Sequence, residues 1–269
     1  MTELEEKYVR LRENLREMGS AAVAFSAGVD STFLLKAAHD ALGDGVLAVT
    51  VRSVFCPPRE TAEAEAFCAR EGIRHIVEDV DVLSVPGVKD NPPDRCYLCK
   101  KALFTRLWEI ARADGARVLA EGSNTDDLKD YRPGRRAVAE LGVVSPLLRA
   151  GLSKADIRAL SRELGLGTWD KPGFACLASR FVHGETLTPE KLAMADAAEQ
   201  YLLGLGLRQL RVRVHGDLAR IEAEPGDLPR LAEAETAAGI DAYFRSLGFS
   251  FVTVDLRGYR TGSMNPRGV

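Results

Sequence analysis

Short apolar runs alternate with amphipathic helical periods through the first 165 residues, and this alternation limits the fold more than any other feature. The predicted elements are helices at 3–18, 30–42, 58–71, 100–114 and 153–164, and strands at 21–25, 46–51, 73–80, 117–121 and 143–144. Strands separated by helices favour a mostly parallel sheet that is covered on both faces. The predicted class is therefore α/β, with ligands bound at the carboxyl ends of the strands.

The pattern changes after residue 166. Residues 167–186 have no clear period and are predicted to be a connecting loop that carries Cys176. The remainder, 187–269, is predicted to be a smaller α+β C-terminal domain, with helices at 188–203 and after Asp227 and strands at 209–215, 218–224 and 249–256. The first of these strands alternates apolar and basic residues, which predicts a half-buried strand with a basic face.

Charge and hydropathy argue against several classes of partner, although the overall charge leaves local basic patches open. The chain has 36 Lys and Arg against 39 Asp and Glu, so it lacks the basic excess of nucleic-acid-binding proteins. No apolar run approaches the roughly 18 residues of a membrane span, and the acidic N-terminus lacks a signal-peptide core. We expect a cytoplasmic protein, without nucleic-acid or membrane partners, whose five cysteines stay reduced.

The strongest local motif is Phe25-Ser-Ala-Gly-Val-Asp-Ser31, which follows a strand and opens a helix. Gly28 lets a ligand approach the backbone, while Ser26, Ser31 and free N–H groups at the helix start can hold a phosphate. Asp30 can orient the loop or hold magnesium. The spacing alone is also compatible with a second interpretation, an ordinary helix cap that follows a strand. The Gly-Lys-Ser/Thr ending of a Walker loop is absent from the motif.

This segment resembles the PP-loop of ATP pyrophosphatases, usually written Ser-Gly-Gly-x-Asp-Ser, with Ala27 where the first glycine is common. That superfamily cleaves ATP between the α and β phosphates, adenylates an acid or amide oxygen and releases pyrophosphate. The segment 121–127, Glu-Gly-Ser-Asn-Thr-Asp-Asp, is similar to segments that lie beside the nucleotide in the superfamily. The resemblance implies that the ATP-binding residues are Ser26, Gly28, Val29, Asp30, Ser31, Gly122, Asn124 and Asp127.

Two segments carry cysteines in unusual settings. Cys96 and Cys99 form a Cys-x-x-Cys at a predicted helix start, which is compatible with a redox pair, half of a zinc site or part of an iron–sulfur site. Cys176 lies in a loop of small residues that ends in Ser-Arg. A buried structural cysteine is the alternative for Cys176, and Cys56 and Cys68 fit that description.

The order of six motifs resembles the LarE family, the sulfur transferases of nickel-pincer cofactor biosynthesis. These motifs lie at 26–31, 95–100, 121–127, 176–180, 211–213 and 258–265. The resemblance implies that the enzyme adenylates the carboxylates of pyridinium-3,5-biscarboxylic acid mononucleotide with MgATP. Sulfur then replaces AMP and gives a thiocarboxylate. We assign no mechanism to the segment 258–265 from sequence.

The resemblance also implies roles for single residues. Cys176 would handle the sulfur, with Asp30 and Glu199 as further catalytic residues. The substrate phosphate would be held by Ser179, Arg180, Arg211 and Arg213. Arg211 and Arg213 are two apart on a predicted strand and so project from one face, although a solvated strand face explains that spacing equally well.

The family has two sulfur sources. In one, the cysteine at the position of Cys176 gives up its own sulfur and becomes dehydroalanine. In the other, three cysteines hold a [4Fe–4S] cluster whose open iron carries sulfide. Because this chain has Cys96 and Cys99 as well as Cys176, counting ligands favours the cluster. The expected cofactors are therefore ATP, Mg²⁺ and a [4Fe–4S] cluster, with a sulfide source as partner and a homo-hexamer as the family's assembly.

Three other functions compete with this one. A PP-loop tRNA thiolase combines the same loop with cysteines, but neither the charge balance nor the C-terminal domain indicates RNA binding. An amidating synthetase would leave three arranged cysteines without a role. A non-catalytic nucleotide-binding or metal-storage module would release no pyrophosphate.

Overall fold

The computed structural model describes residues 1–129, 133–173 and 175–264. The chain divides into two compact units. The first unit contains residues 1–85 and 96–174, and the second contains 86–95 and 175–269. The short segment 86–95 therefore belongs to the same unit as residues 175–269, although residues 96–174 of the first unit lie between them in sequence. Among the described residues, no helix has the length and apolar character needed to cross a membrane.

The first unit is built on a four-stranded parallel sheet with the order β3-β2-β1-β4. Its strands are β1 Ala21–Ala24, β2 Val46–Arg52, β3 Arg74–Asp79 and β4 Val118–Ala120. Its helices are α1 Glu3–Met18, α2 Val29–Leu42, α3 Pro58–Glu71, α4 Arg95–Ala113, α5 Gly134–Glu140, α6 Pro146–Arg149 and α7 Lys154–Glu163. The mostly parallel α/β sheet predicted from sequence is confirmed.

Both faces of this sheet are covered, as a buried parallel sheet requires. Side chains alternate along each strand, so Val23 faces one apolar core while its neighbour Ala22 faces the other. The first core contains residues of α1, α2, α3 and α7, and the second contains residues of α4 and α5. The sheet is therefore a rigid base for the loops at its strand ends.

Local sequence signals explain where the helices begin. Thr2 and Ser153 each form a capping box, in which the hydroxyl accepts the N–H of the third helical residue and that residue's carboxylate accepts the cap N–H. Pro58 stands in the first turn of α3, where its missing N–H has no intrahelical partner to lose.

The second unit contains a three-stranded sheet with the order β5-β6-β7. Its elements are α8 Pro189–Gly204, β5 Leu210–His215, β6 Leu218–Ala223, α9 Leu228–Leu231, α10 Ala234–Ser246 and β7 Phe251–Val254. β5 and β6 form an antiparallel hairpin, whereas β6 and β7 are parallel because two helices connect them. The α8 start follows its sequence signal, since the Thr188 hydroxyl accepts the Lys191 N–H and Pro189 comes next.

The structure differs from the sequence predictions at four places. The strand at 143–144 is a single bridge between Val144 and Ala120. Helix α4 begins at Arg95 and not near Lys100. Part of the loop 167–186 is a 3-10 turn, Leu177–Arg180. Strand β5 is buried along almost its whole length, so the prediction of a half-buried strand with a basic face is wrong.

Candidate functional site

The loop between β1 and α2 is built to leave backbone donors available. Helix α2 begins at Val29 behind Gly28, a cap residue that has no side chain to accept the first helical N–H groups. The Ser31 hydroxyl accepts the Ser26 N–H at 3.3 Å and donates to the Gly28 carbonyl at 3.2 Å. The two serine hydroxyls are 3.1 Å apart. A helix start of this kind attracts anions such as phosphates.

Ala27 explains why this loop favours glycine. Its φ angle is +51°, in the left-handed region that L-residues with a side chain adopt at a cost of roughly 1–2 kcal/mol. The residue is buried in the first apolar core. Ala27 stands where the PP-loop motif usually has glycine, and it therefore occupies a strained backbone position.

The segment 121–127 contacts the start of α2. A Cβ on Gly122 would lie 3.1 Å from the Ser31 nitrogen and 3.3 Å from Asp30 atoms, so only glycine fits without movement. The Asn124 amide donates to the Asp30 carboxylate at 3.3 Å. The Asp127 carboxylate accepts the Asn124 N–H at 3.0 Å and so shapes the segment itself.

Two lysines that the sequence analysis missed also reach this loop. Lys154 Nζ lies 2.6 Å from Asp30 Oδ2, and Lys171 Nζ donates to the Ala27 carbonyl at 3.0 Å. Lys171 also pairs with Glu63. Lys154 follows a helix cap that the sequence showed, but its distance of 124 residues from Asp30 hides the pairing.

Cys96 and Cys99 lie in the first turns of α4 within the first unit. Cys99 is buried. A Cβ on Gly134 would come within 2.9 Å of Cys96 Sγ and 2.6 Å of Lys100 Cδ, so Gly134 at the start of α5 is closely packed on this thiol. The backbone of Gly134 therefore packs against the Cys96 thiol.

The described residues do not show the three-cysteine metal site that the sequence predicts. Within residues 1–129, 133–173 and 175–264, no group of three or more His, Cys, Asp or Glu side chains is arranged to hold a metal ion. Cys96 and Cys99 belong to the first unit, and Cys176 belongs to the second. Neither unit, in its described residues, holds a three-thiolate site of its own.

Cys176 stands directly before the 3-10 turn in the second unit, and its carbonyl accepts the Ser179 N–H at 3.0 Å. The Arg95 guanidinium donates to Cys176 Sγ at 3.4 Å. Burial would raise the pKa of this thiol, but the charge and hydrogen bond of Arg95, the charge of Arg180 and the Ser179 N–H outweigh it. The pKa of Cys176 is consequently lowered, which favours the nucleophilic thiolate.

Arg95 is held in place by Asn91, another residue that sequence reasoning missed. Asn91 has a φ angle of +48° and is almost fully buried. Its side chain accepts from Arg95 Nε at 2.9 Å and donates to the Val182 carbonyl at 2.8 Å. A buried asparagine in a strained conformation thus aims the arginine that faces Cys176.

Arg180 and Glu199 form a fully buried ion pair. Arg180 Nε and Nη2 donate to the two Glu199 oxygens at 2.9 and 2.8 Å, and both side chains are 0% exposed. Glu199 also accepts the Val212 N–H at 3.0 Å. Burial opposes the charge on Glu199, but the charge and hydrogen bonds of Arg180 outweigh it and lower the pKa of this carboxyl.

A second buried pair joins β5 to β6. Arg213 Nε donates to Glu222 at 2.9 Å, and the Ser263 hydroxyl donates to the same carboxylate at 2.8 Å. Arg211 lies 5.1 Å from the Tyr259 ring centre in a cation–π contact. Burial and the neighbouring Arg180 charge lower the pKa of Arg211 to about 10.

These contacts give the segment 258–264 a structural role that the sequence left open. Tyr259 lies under Arg211, and Ser263 completes the partners of Glu222. Gly258 has a φ angle of +66°, and a Cβ there would approach the Ala223 carbonyl to 2.6 Å. The last residue of the sequence motif, Asn265, lies outside the described residues.

Comparisons with known proteins support one family. The chain is 39% identical over 269 residues to the pyridinium-3,5-bisthiocarboxylic acid mononucleotide synthase of Lactiplantibacillus plantarum, covering 98% of this chain and 96% of that protein. The chain belongs to the LarE family. LarE-family membership, which the motifs indicated, is thereby confirmed, and the relative is a synthase.

Two further relatives are similar to this chain. An uncharacterised protein of Synechocystis is 41% identical, over 97% of this chain and 98% of its own length. A component of the glutamine-hydrolysing GMP synthase of Thermoplasma volcanium is 29% identical, over 70% of this chain and 65% of that component. A scan against protein-family models finds no match.

Proposed function

We propose that this protein is an ATP-dependent sulfur transferase acting on pyridinium-3,5-biscarboxylic acid mononucleotide, whose carboxylates it converts to thiocarboxylates for the nickel-pincer cofactor. The observation that carries the proposal is the 39% identity to the Lactiplantibacillus synthase across nearly all of both chains. The phosphate loop and the lowered pKa of Cys176 add chemical support.

The proposal includes the fold and assembly expected from the family. Residues 1–166 would be the PP-loop ATP pyrophosphatase domain, 167–186 the connecting loop that carries Cys176, and 187–269 the smaller α+β domain. We propose a cytoplasmic protein that assembles as a homo-hexamer and takes a small-molecule substrate without nucleic acid.

Adenylation is proposed to occur at the loop before α2. A substrate carboxylate oxygen attacks the α-phosphorus of MgATP, pyrophosphate leaves, and an acyl adenylate forms. The N–H groups behind Gly28, with Ser26 and Ser31, would hold the departing phosphates. Asp30, already bonded to Asn124, would face the magnesium ion of MgATP.

Cys176 is proposed to deliver sulfur to the acyl adenylate. Attack of the thiolate on the acyl carbon expels AMP and gives a thioester. If the thiol is the sulfur source, loss of the Cα proton then breaks the Cβ–Sγ bond, leaving a thiocarboxylate and dehydroalanine. The Arg95 contact supports the thiolate that this attack requires.

The substrate phosphate is proposed to contact Arg211 and Ser179. Burial lowers the pKa of Arg211 to about 10, so a nearby phosphate would offset the cost of keeping that charge desolvated. Arg213 donates to Glu222 and to the Ser179 carbonyl, and it would thereby hold the Ser179 backbone in place.

Intact mass spectrometry separates the two sulfur sources. The enzyme would be turned over anaerobically with MgATP and the biscarboxylate nucleotide, and the thiocarboxylate product measured in the same tube. A loss of one hydrogen sulfide at Cys176 establishes Cys176 as the donor. An unchanged mass with product formed supports the [4Fe–4S] alternative with Cys96, Cys99 and Cys176 as ligands, and iron analysis of that sample then follows.

Substrate-dependent pyrophosphate release tests the function itself. We expect release with the biscarboxylate nucleotide, in step with thiocarboxylate formation, and none when tRNA replaces it. The similarity to part of a GMP synthase makes ammonium the important control. Amide product with ammonium, or thiolated tRNA, would contradict the proposal, and the absence of any pyrophosphate would leave only a binding module.

A further inference from the structure

The turn that carries Cys176 is held through its backbone carbonyls by two buried arginines. Arg180 Nη1 donates to the Ala175 carbonyl at 2.6 Å and to the Cys176 carbonyl at 3.1 Å. Arg213 Nη1 donates to the Ser179 carbonyl at 3.0 Å. Three carbonyls within five residues therefore bind guanidinium groups, all inside the second unit.

Each arginine has its own buried counter-charge, so the arrangement is complete without a ligand. Glu199 binds Arg180 through both oxygens, and Glu222 binds Arg213. Both glutamate side chains are fully buried. An ion pair with this geometry and these additional hydrogen bonds retains its charges in a dry interior.

Every nitrogen of the Arg180 guanidinium has an acceptor. Nε and Nη2 bind Glu199, and Nη1 binds the two carbonyls and the Ser179 hydroxyl. The side chain has no exposed surface. A phosphate could bind Arg180 only by displacing the carboxylate or opening the turn, both of which would leave a buried group unsatisfied.

We propose that Arg180 is a positioning residue which, with Glu199, fixes the Cys176 turn and does not bind the substrate phosphate. The inference rests on the proposed function only in assigning the sulfur chemistry to Cys176. A fixed turn matters because misplacing a reacting atom by about 1 Å can cost on the order of 100-fold in rate.

The test uses the double variant Arg180→Met/Glu199→Leu in the full chain. Replacing both charges by apolar side chains avoids leaving one unpaired charge in the interior. The matched control is Arg245→Met/Asp241→Leu, which removes an exposed Arg–carboxylate pair from α10 in the same unit. Two readouts are taken: amide hydrogen exchange across 175–180, and the dissociation constant of the pyridinium biscarboxylate mononucleotide.

We expect exchange across 175–180 to rise about tenfold in the double variant and not in the control, because the turn loses its carbonyl partners. Because Ser179, a proposed phosphate contact, lies in the loosened turn, the dissociation constant should rise by only about threefold, whereas single-turnover sulfur transfer should fall about 10- to 100-fold. Pyrophosphate release should continue. Unchanged exchange, or a dissociation constant raised tenfold or more, would overturn the proposal.

A second variant, Arg180→Lys, covers the case in which the double variant does not fold. Lysine keeps the charge beside Glu199 but lacks the planar fork that reaches the two carbonyls. We expect faster exchange across 175–180 with a dissociation constant raised by no more than about threefold, whereas loss of a phosphate ligand would raise the dissociation constant about tenfold without changing exchange. If the wild-type protein releases no pyrophosphate, the proposed function fails, but the exchange result still decides whether Arg180 positions the turn.

Discussion

The loop before α2 and the turn at Cys176 are held in place by different means. The loop is closed by two serine hydroxyls and a backbone carbonyl within six residues, and its main ion pair, Lys154 with Asp30, is about a quarter to a third exposed. The turn is closed by Arg180 and Glu199, which are entirely buried.

This difference matches the tasks proposed for the two regions. A loop that must bind and release a highly charged nucleotide keeps its charges within reach of water, where forming and breaking an ion pair costs little. A turn that carries a reacting thiol gains from a buried pair, because the pair is costly to break and so fixes one geometry. A region held by a partly exposed ion pair and a region held by a buried one should therefore respond differently to mutation.

The largest effect is expected for Glu199→Ala. Removing this carboxylate leaves the Arg180 charge buried without its partner, which costs about 3–5 kcal/mol of folding free energy. Asp30→Ala should cost no more than about 1 kcal/mol, because its ion pair is partly exposed. Urea denaturation measures both, with exposed Glu235→Ala as the control. Equal losses of folding free energy in Glu199→Ala and Asp30→Ala would contradict the proposed difference between the buried and the partly exposed ion pair.

The next effect is expected for Gly122→Ala in the first unit. The added Cβ would press on the Ser31 nitrogen and on Asp30, displacing the start of α2 at a cost of about 1–3 kcal/mol and weakening ATP binding. Gly167→Ala is the matched control, because no atom lies within 4 Å of a Cβ there. Calorimetric titration with MgATP measures the change, and wild-type affinity in Gly122→Ala would contradict the described contact.

A smaller effect is expected for Arg95→Met, which removes the guanidinium that donates to Cys176 Sγ. Because Arg95 lowers the pKa of this thiol, its loss should shift the alkylation rate profile of Cys176 to higher pH. At pH 7 the rate should fall about tenfold, the equivalent of one charge-assisted hydrogen bond. Peptide mass spectrometry after iodoacetamide treatment of iron-free protein follows Cys176 alone. An unshifted profile would show that Arg95 does not act on the thiol.

The smallest effects come from the two non-glycine residues with positive φ that the described chain contains, one in each unit. Ala27→Gly relieves backbone strain and should stabilise the protein by about 0.5 kcal/mol. Asn91→Gly relieves similar strain but loses the bonds to Arg95 and Val182, so it should destabilise by about 1–2 kcal/mol. Thermal unfolding measures both changes, and the same sign for the two would contradict the comparison.

The sequence predicted the locally determined features well. The four parallel strands follow from apolar runs, and the phosphate loop follows from a strand, a glycine and a helix start that are close together in the chain. The residue pattern alone does not predict the contact between Asn124 and Asp30, because 94 residues separate them. Only the family resemblance grouped the two residues, as part of one ATP-binding set.

Features that depend on distant partners were missed. Nothing in the sequence pairs Arg95 with Cys176, because 81 residues separate them and the intervening segments belong to the other unit. The alternating strand 209–215 predicted a basic face, yet its arginines are buried because Glu222 and Tyr259 meet them. Charge pattern alone does not reveal whether a basic side chain faces water or a buried partner.

Oxygen-isotope transfer follows the proposed adenylation of a substrate carboxylate atom by atom. The biscarboxylate nucleotide would be labelled with ¹⁸O in its carboxylates, incubated with enzyme, MgATP and a sulfide source, and the AMP analysed by mass spectrometry. Adenylation predicts one ¹⁸O in AMP for each thiocarboxylate formed, because the attacking oxygen leaves with the phosphate. Thiocarboxylate formed with unlabelled AMP, or with ADP and phosphate, would contradict it.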